Sequence, residues 1–236
     1  MKIEHKTLNE RAYEAIRSGL ITSQFQPGQV LVIRTLADAY GISATPVREA
    51  LHRLVGERLL TMLPNRSVAV PELSRDAFVE LTEIRVALEG LCAELATPLI
   101  KPAAIKRLHG LVRDLQRSIE QRDIRAYVPL NQQLHFTIYE HAHAPRLLGL
   151  IQDLWSQVGP FLTKLFDRSD YIAGANDEHH RIIAALEVGD AEAVRLAVIA
   201  DIRGAARSLV TALDGAAPNV QPDSALSRPL LSAPTC

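Results

Sequence analysis

The sequence predicts a mainly α-helical protein: an N-terminal winged helix-turn-helix followed by an all-α antiparallel helical bundle. Three observations predict it. Apolar residues recur at i, i+3, i+4 and i+7 through most of the 236 residues, which is helical spacing. No segment after Pro71 alternates apolar with polar as a half-buried strand does. Aromatic residues are 5% of the chain while leucine and alanine abound, a balance that favours packed helices over sheet.

The chain reads as three parts: residues 1–72, 73–214 and 215–236. Thr7 to Ser23 carries Leu8, Ala12, Ala15, Ile16 and Leu20 on one side, an amphipathic first helix. Gln26-Pro27-Gly28 forces a turn, and Val30-Leu31 reads as a short extended link. Leu36, Ala37 and Tyr40 form the inward stripe of a second helix, and Gly41 permits the sharp turn after it. Ser43 or Thr45 can cap a third helix, with Pro46 in its first turn, where a missing N–H costs little. Val47, Ala50, Leu51 and Leu54 follow as one buried stripe, while Thr45, Arg48 and His52 share the outward face. Helix, tight turn, then helix with an exposed polar and basic face is the layout whose second helix enters the DNA major groove. Two short apolar runs, Leu59 to Leu63 and Val68 to Val70, flank Pro64-Asn65-Arg66-Ser67 and read as a β-hairpin wing. At its tip, Arg66 is placed either to meet a phosphate or minor groove or simply to face water.

Beyond Pro71 the punctuation is helical. Ser74 caps a long helix through about Thr97, with Phe78, Leu81, Ile84, Leu88, Leu91 and Leu95 as its expected buried stripe. Pro102 starts the next, which ends near Arg122, and Asp123 can cap a third. Pro145 begins another that runs to about Leu165, kinked or broken at Pro160. A fifth spans Ser169 to Val188; Gly189 ends it, and Asp190 caps the last, which reaches Leu213. The final stretch holds four prolines without periodicity and is expected to be disordered.

A net charge of −1 shows no global basic excess, although nine basic against seven acidic residues leave the chain through Glu72 at +2 and the remainder at −3. Cys92 falls in an apolar helical pattern and Cys236 at the last position, so neither reads as a disulfide framework or a cysteine zinc site. There is no signal peptide and no apolar run long enough to cross a bilayer, which makes the cytoplasm the expected location.

The run from Arg34 to Leu54 resembles the winged helix-turn-helix of GntR-family bacterial transcription regulators. The usual pattern there is R-x-L-A-x-x-x-G-V-S-R-T-P-V-R-E-A-L-x-R-L. This chain keeps Arg34, Leu36, Ala37, Gly41, Ser43, Thr45, Pro46, Val47, Arg48, Glu49, Ala50, Leu51, Arg53 and Leu54. Ala44 stands where the family often carries a DNA-contacting arginine, Arg58 where a glycine usually ends the recognition helix, and Ser67 where glycine usually follows the wing arginine. The resemblance implies that Arg34, Ser43, Thr45, Pro46, Arg48, His52 and Arg66 contact operator DNA. The helical part is similar to the FCD ligand-sensing domain of the FadR subfamily, through Arg85, Leu88 and Glu89, then His135, then Glu178-His179 and Gly189-Asp190.

Asn131 and His135 are four apart on one helix and share a face, with His179 on a later helix and Asp201 on the last. Carried over from the FCD pattern, these four are the ligands of a divalent metal, zinc by expectation with nickel or manganese as alternatives. Asp201 takes a position that is usually histidine and makes the set more oxygen-rich. Arg85 either pairs with the carboxylate of a bound effector or bridges to Glu89 one turn on. The resemblance implies a homodimeric repressor, bound to double-stranded operator DNA and controlled by a small organic-acid or sugar-acid effector, and not an enzyme. Two alternatives stay open at this point: a metal-dependent hydrolase on a helical bundle, and a DNA-binding dimer without a sensing role.

Overall fold

The computed structural model describes residues 7–167 and 174–214. The N-terminal part contains α1 (Leu8–Ile21), α2 (Ile33–Tyr40), α3 (Ala44–Gly56) and a hairpin of β1 (Thr61–Met62) and β2 (Val68–Ala69). A helical part follows with α4 (Arg75–Ala96), α5 (Pro102–Glu120), α6 (Ile124–Tyr139), α7 (Pro145–Val158), α8 (Asp177–Val188) and α9 (Ala191–Asp214). Residues 215–236, expected to be disordered, lie outside the described residues, as does Ser169, the expected start of the helix that ends at Val188.

Local chemistry sets the first part. Thr7 opens α1 with a capping box, its side chain accepting from the Glu10 amide while Glu10 reaches back to the Thr7 backbone N–H. Ala12, Tyr13, Ile16 and Leu20 turn inward against Val47, Ala50, Leu51 and Leu54 of α3. Leu8 stays exposed at the N-terminal end. Gly41 closes α2 with φ of 64°, the left-handed turn that glycine adopts without a Cβ clash. Ser43 occupies the N-cap of α3 in extended geometry, though no side-chain cap bond forms, and Thr45 lies inside the helix. The wing is larger than the hairpin. Val30 bridges Ala69, and the Leu31 amide donates to the Val68 carbonyl, so the link before α2 adds a third edge to the sheet. Two isolated apolar residues are too short a run to announce that pairing.

The helical part is an antiparallel bundle in which α9 packs along α4 and α8, and α5 along α6. Caps sit where the sequence places them: Ser74 accepts from the Ala77 amide, Asp123 from Arg125 and Ala126, and Asp190 from Ala193. At Gly159-Pro160 α7 tightens into a 3-10 segment, Gly159–Asp167. The α4 stripe is a correction. Phe78 and Leu81 are buried, Leu88 is half-buried, and Ile84, Leu91 and Leu95 are exposed by 42%, 45% and 44%. The inward face instead holds Arg85, Glu89, Gly90, Cys92, Ala93 and Ala96. Small residues there let other helices approach closely; a Cβ on Gly90 would already meet Ile199 at 3.2 Å. The polar pair Arg85 and Glu89 is also kept inside. Large apolar residues are left on the outer face, which inverts the reading by hydrophobicity alone.

A tight seam joins the two parts. Ile21, the last residue of α1, belongs to the bundle's apolar core. Ser23 donates to the Gly159 carbonyl, and Arg17 pairs with Asp153 on α7. At Gly159 a Cβ would lie 2.2 Å from the Leu20 carbonyl oxygen, so only glycine lets α1 rest there.

The turn after α3 is strained. Glu57 caps the helix, and Arg58 then takes φ of 61°. A side chain in the left-handed region costs about 1–2 kcal/mol, while glycine costs roughly 0.5–1 kcal/mol in chain entropy. Arg58→Gly should therefore raise stability by about 0.5–1 kcal/mol, read as a higher urea midpoint at unchanged slope. A lower midpoint would refute the strain at this turn.

Candidate functional site

The surface around α3 is assembled first. Thr45, Arg48 and His52 are exposed on one side of the helix, opposite the buried Val47, Ala50, Leu51 and Leu54. A groove of about 390 Å³ between α2, α3 and the wing is lined by Arg34, Arg48, His52 and Arg66 together. Ser43, at the entrance to α3, is exposed as well. Arg66 is held at the wing tip with φ of 66°, its amide donating to the Leu63 carbonyl. Pro46 is a correction to the sequence-based set: it is buried, because position three of the helix turns inward, and it offers no surface to a groove.

A second cluster lies inside the bundle. His135 on α6, His179 on α8 and Asp201 on α9 converge, their donor atoms all within 4.8 Å of one another. Both histidines are buried and the Asp201 side chain is 13% exposed. His135 Nε2 lies 3.2 Å from one Asp201 oxygen, and His179 Nε2 lies 3.5 Å from the other. Asn131 sits half-buried one turn before His135 on α6.

The hydrogen bonds behind the imidazoles decide what faces Asp201. Asn176 gives its amide N–H groups to the Val112 carbonyl and Gln116, so its oxygen, 2.9 Å from His179 Nδ1, must accept. The proton of His179 is therefore on Nδ1, and Nε2 carries a lone pair; that atom is buried with no hydrogen-bond partner among the described residues. Burial pushes the His179 pKa down to about 4, against the pull of Asp201, with His135 and His180 adding to the depression. The hydrogen bond behind His135 is fixed by its neighbours in the same way. The Tyr139 hydroxyl donates to Glu89 at 2.8 Å, so at 3.2 Å it can only accept from His135 Nδ1. Burial first, then the adjacent Glu89 charge, pushes Tyr139 well above its ordinary value and keeps it a donor. Burial would raise the Asp201 carboxyl, but the two imidazoles and Arg85 together hold it below its usual value.

The His179 lone pair, the His135 imidazole and the Asp201 carboxylate thus face one another in the bundle interior. A cation resolves that arrangement. Two donors each about 2.1 Å from one ion, at right to tetrahedral angles, stand about 3.0–3.4 Å apart, close to the spacing here. Asn176 and Tyr139 act as the orienting groups that metal-bound histidines ordinarily have. The residues present fit a divalent metal.

Glu89 ties this cluster together. It is fully buried and accepts from Arg85 Nε at 2.7 Å, Tyr139 at 2.8 Å and Trp155 at 2.8 Å. The bridge between Arg85 and Glu89 is therefore formed, and the Arg85 guanidinium lies 5.0 Å from the Trp155 ring. Sequence reasoning passed over Tyr139, Asn176 and Trp155 as members of the site. Tyr139 stands four residues after His135, and Asn176 three before His179, so helical spacing carried the signal for both. Cys92 is buried and donates to the Tyr139 carbonyl, its thiol pushed up to about 11 by burial, which leaves it unreactive.

Comparison with known proteins places this geometry. Residues 8–70 match the family described as bacterial regulatory proteins, gntR family, and residues 80–204 match the FCD domain. The HTH-type transcriptional regulator McbR of Escherichia coli K12 is 30% identical over 196 residues, covering 82% of this chain and 89% of that protein. A probable D-xylose utilization operon transcriptional repressor of Paenarthrobacter nicotinovorans is 30% identical over 160 residues, 66% of this chain and 69% of its own. The solved structure of E. coli McbR/YncC superposes with a TM-score of 0.79 at 28% identity, over 89% of this chain and 99% of that one. A GntR regulator structure from Rhodococcus sp. RHA1 shares the fold, with a TM-score of 0.69 at 21% identity over 86% and 98%. No helix among the described residues is long and apolar enough to cross a membrane. The chain belongs to the GntR family of bacterial regulatory proteins, a DNA-binding transcriptional regulator with an FCD domain behind its helix-turn-helix.

Proposed function

We propose that this regulator is a homodimeric repressor whose hold on operator DNA is governed by a small organic or sugar acid bound at a metal in the bundle. His135, His179 and Asp201 hold the metal, with Asn131 one turn away as a fourth donor. The observation that carries the reading is the buried, unpartnered Nε2 of His179, which converges with His135 Nε2 on the Asp201 carboxylate. A divalent ion bound there supplies a Lewis-acid position open to a carboxylate. Zinc suits two imidazoles, and nickel or manganese also accept nitrogen and oxygen donors. Arg85, its charge balanced by Glu89, lies beside the site as a further hydrogen-bond donor to the acid.

Purified protein should carry about one divalent ion per chain by elemental analysis. Stripping it with EDTA should lower the melting temperature by about 5–10 °C. His179→Ala should lose the ion and the EDTA response together. Nickel loading should quench the fluorescence of Trp155, whose ring lies 5.5 Å from that of His135. Full occupancy in His179→Ala would rule this site out.

DNA reading falls to Thr45 and Arg48, with His52, Ser43, Arg34 and Arg66 positioning the head on phosphates. Arg48→Ala should abolish specific binding to a fragment that the wild-type protein selects from a random pool, with helical circular dichroism unchanged. Retained specific binding at moderate salt would sink the assignment of α3 as the recognition helix.

Two heads are needed for two half-sites, and the outer face of α4 suits a second copy. Ile84, Leu91 and Leu95 are exposed there at helical spacing, with Leu196 of α9, itself 51% exposed, among the same outward-facing apolar residues. Charged pairs, Arg203 with Glu83 and Arg195 with Glu192, flank the stripe. Leu91→Glu with Leu95→Glu should give a monomer by light scattering and weaken operator binding more than about tenfold. A variant that stays dimeric would move the interface elsewhere.

A further inference from the structure

A pocket of about 430 Å³ lies against α9 and the residues just before α8, and Asp201 lines it. Of the three clustered donors, Asp201 alone reaches this space; His135 and His179 are closed off behind it, 1% and 0% exposed. Small residues make the walls: Ala200, Gly204 and Ala205 on α9 and Ala175 opposite. Arg207 also lines the pocket and leans back along α9, its Nη2 3.8 Å from where a Gly204 Cβ would sit. Arg207 is exposed and has no ion-pair partner among the described residues, whereas its neighbours Arg195 and Arg203 are both paired. The pocket's other acid, Glu178, is already bridged to Arg181 at 2.6 Å.

The charge count is decisive. A divalent ion held by neutral histidines and one aspartate leaves a net +1, because Arg85 and Glu89 cancel each other. Arg207 adds another positive charge at the mouth, for a total of +2. A monoanion neutralises half of this; a dianion with its two acid groups apart neutralises both centres. Six residues of helix separate Asp201 from Arg207, about 9 Å of rise, and the backward lean of the arginine shortens that span.

We propose that the effector is a two-headed acid of roughly four to six carbons, one carboxylate directed to the metal and the other to Arg207. This rests on the metal-bound effector reading above. The Ser208 hydroxyl, which lines the same pocket, suits a hydroxylated diacid such as an aldaric acid. Arg207 is then the residue that sets effector class, through charge-assisted hydrogen bonds to the distal acid group.

The test is calorimetry on zinc-loaded full-length protein with succinate, glutarate and adipate, each against the monocarboxylate of equal chain length. At least one diacid should bind about tenfold or more tightly than its partner. Arg207→Gln should remove that preference while leaving monocarboxylate affinity and zinc content unchanged. If wild type does not separate diacids from monoacids, or if Arg207→Gln keeps the preference, the proposal is overturned and the carboxylate-effector reading survives. If no carboxylate binds zinc-loaded wild type, that underlying reading fails, and the diacid proposal with it. Gly204→Leu, which fills the pocket at a position that is not itself a metal donor, should block diacid binding at full zinc occupancy; undiminished binding would place the ligand elsewhere.

Discussion

A single carboxylate, sealed from water, organises the interior of the helical domain. Glu89 accepts hydrogen bonds from α4 itself, from Tyr139 on α6 and from Trp155 on α7. Burying a charge is costly unless it is fully partnered, and here three donors, one of them the Arg85 guanidinium, meet that condition. The arrangement is also directional. Because Tyr139 gives its proton to Glu89, it accepts one from His135 Nδ1, which fixes the ring with Nε2 toward Asp201. A carboxylate outside the cluster thus orients an imidazole inside it. Breaking such a buried pair costs about 3–5 kcal/mol, so the bundle and the site's chemistry stand or fall together.

The same network reaches the DNA-binding part through α7. Trp155 is two residues from Asp153, which pairs with Arg17 on α1, and α1 in turn carries the packing surface for the recognition helix. Between α1 and α3, Tyr13 donates to Glu57 while Arg53 stacks on the Tyr13 ring at 3.8 Å. A rearrangement that moves α7 either carries α1 with it or breaks the Arg17–Asp153 pair. Energetic coupling needs a contiguous element with two arrangements, and α7 is the element that both halves hold in common.

Much of this was legible in the residues. Gly41, Ser74, Asp123, Gly189 and Asp190 announce the turns and caps where they occur, because these positions depend on local backbone chemistry. His135, His179 and Asp201 were recognisable as a group through register with a family pattern, although spacing on three separate helices could not by itself bring them together. The α4 stripe was misread for an instructive reason. Hydrophobicity assigns the largest apolar side chains to the inside, yet Arg85 and Glu89 are inside because they satisfy each other, and Leu91 and Leu95 are left outside. Arg207 was invisible for the opposite reason: an arginine on a helix looks solvated until the pocket beside it is seen. Pro46 kept its family position but not the contact expected of it, since identity at a position does not say which way the residue faces.

Gly159 gives the molecule one more property. The two halves meet there backbone to backbone, with no side chain between them to absorb a change. Most interdomain surfaces drift easily over evolution, because a larger residue on one side is matched by a smaller one on the other. No such exchange is open at a contact made of peptide groups. Any other residue at this position has to seat the head at a different angle on the bundle. One missing methyl group, far from α3, thereby sets how the recognition helix is presented.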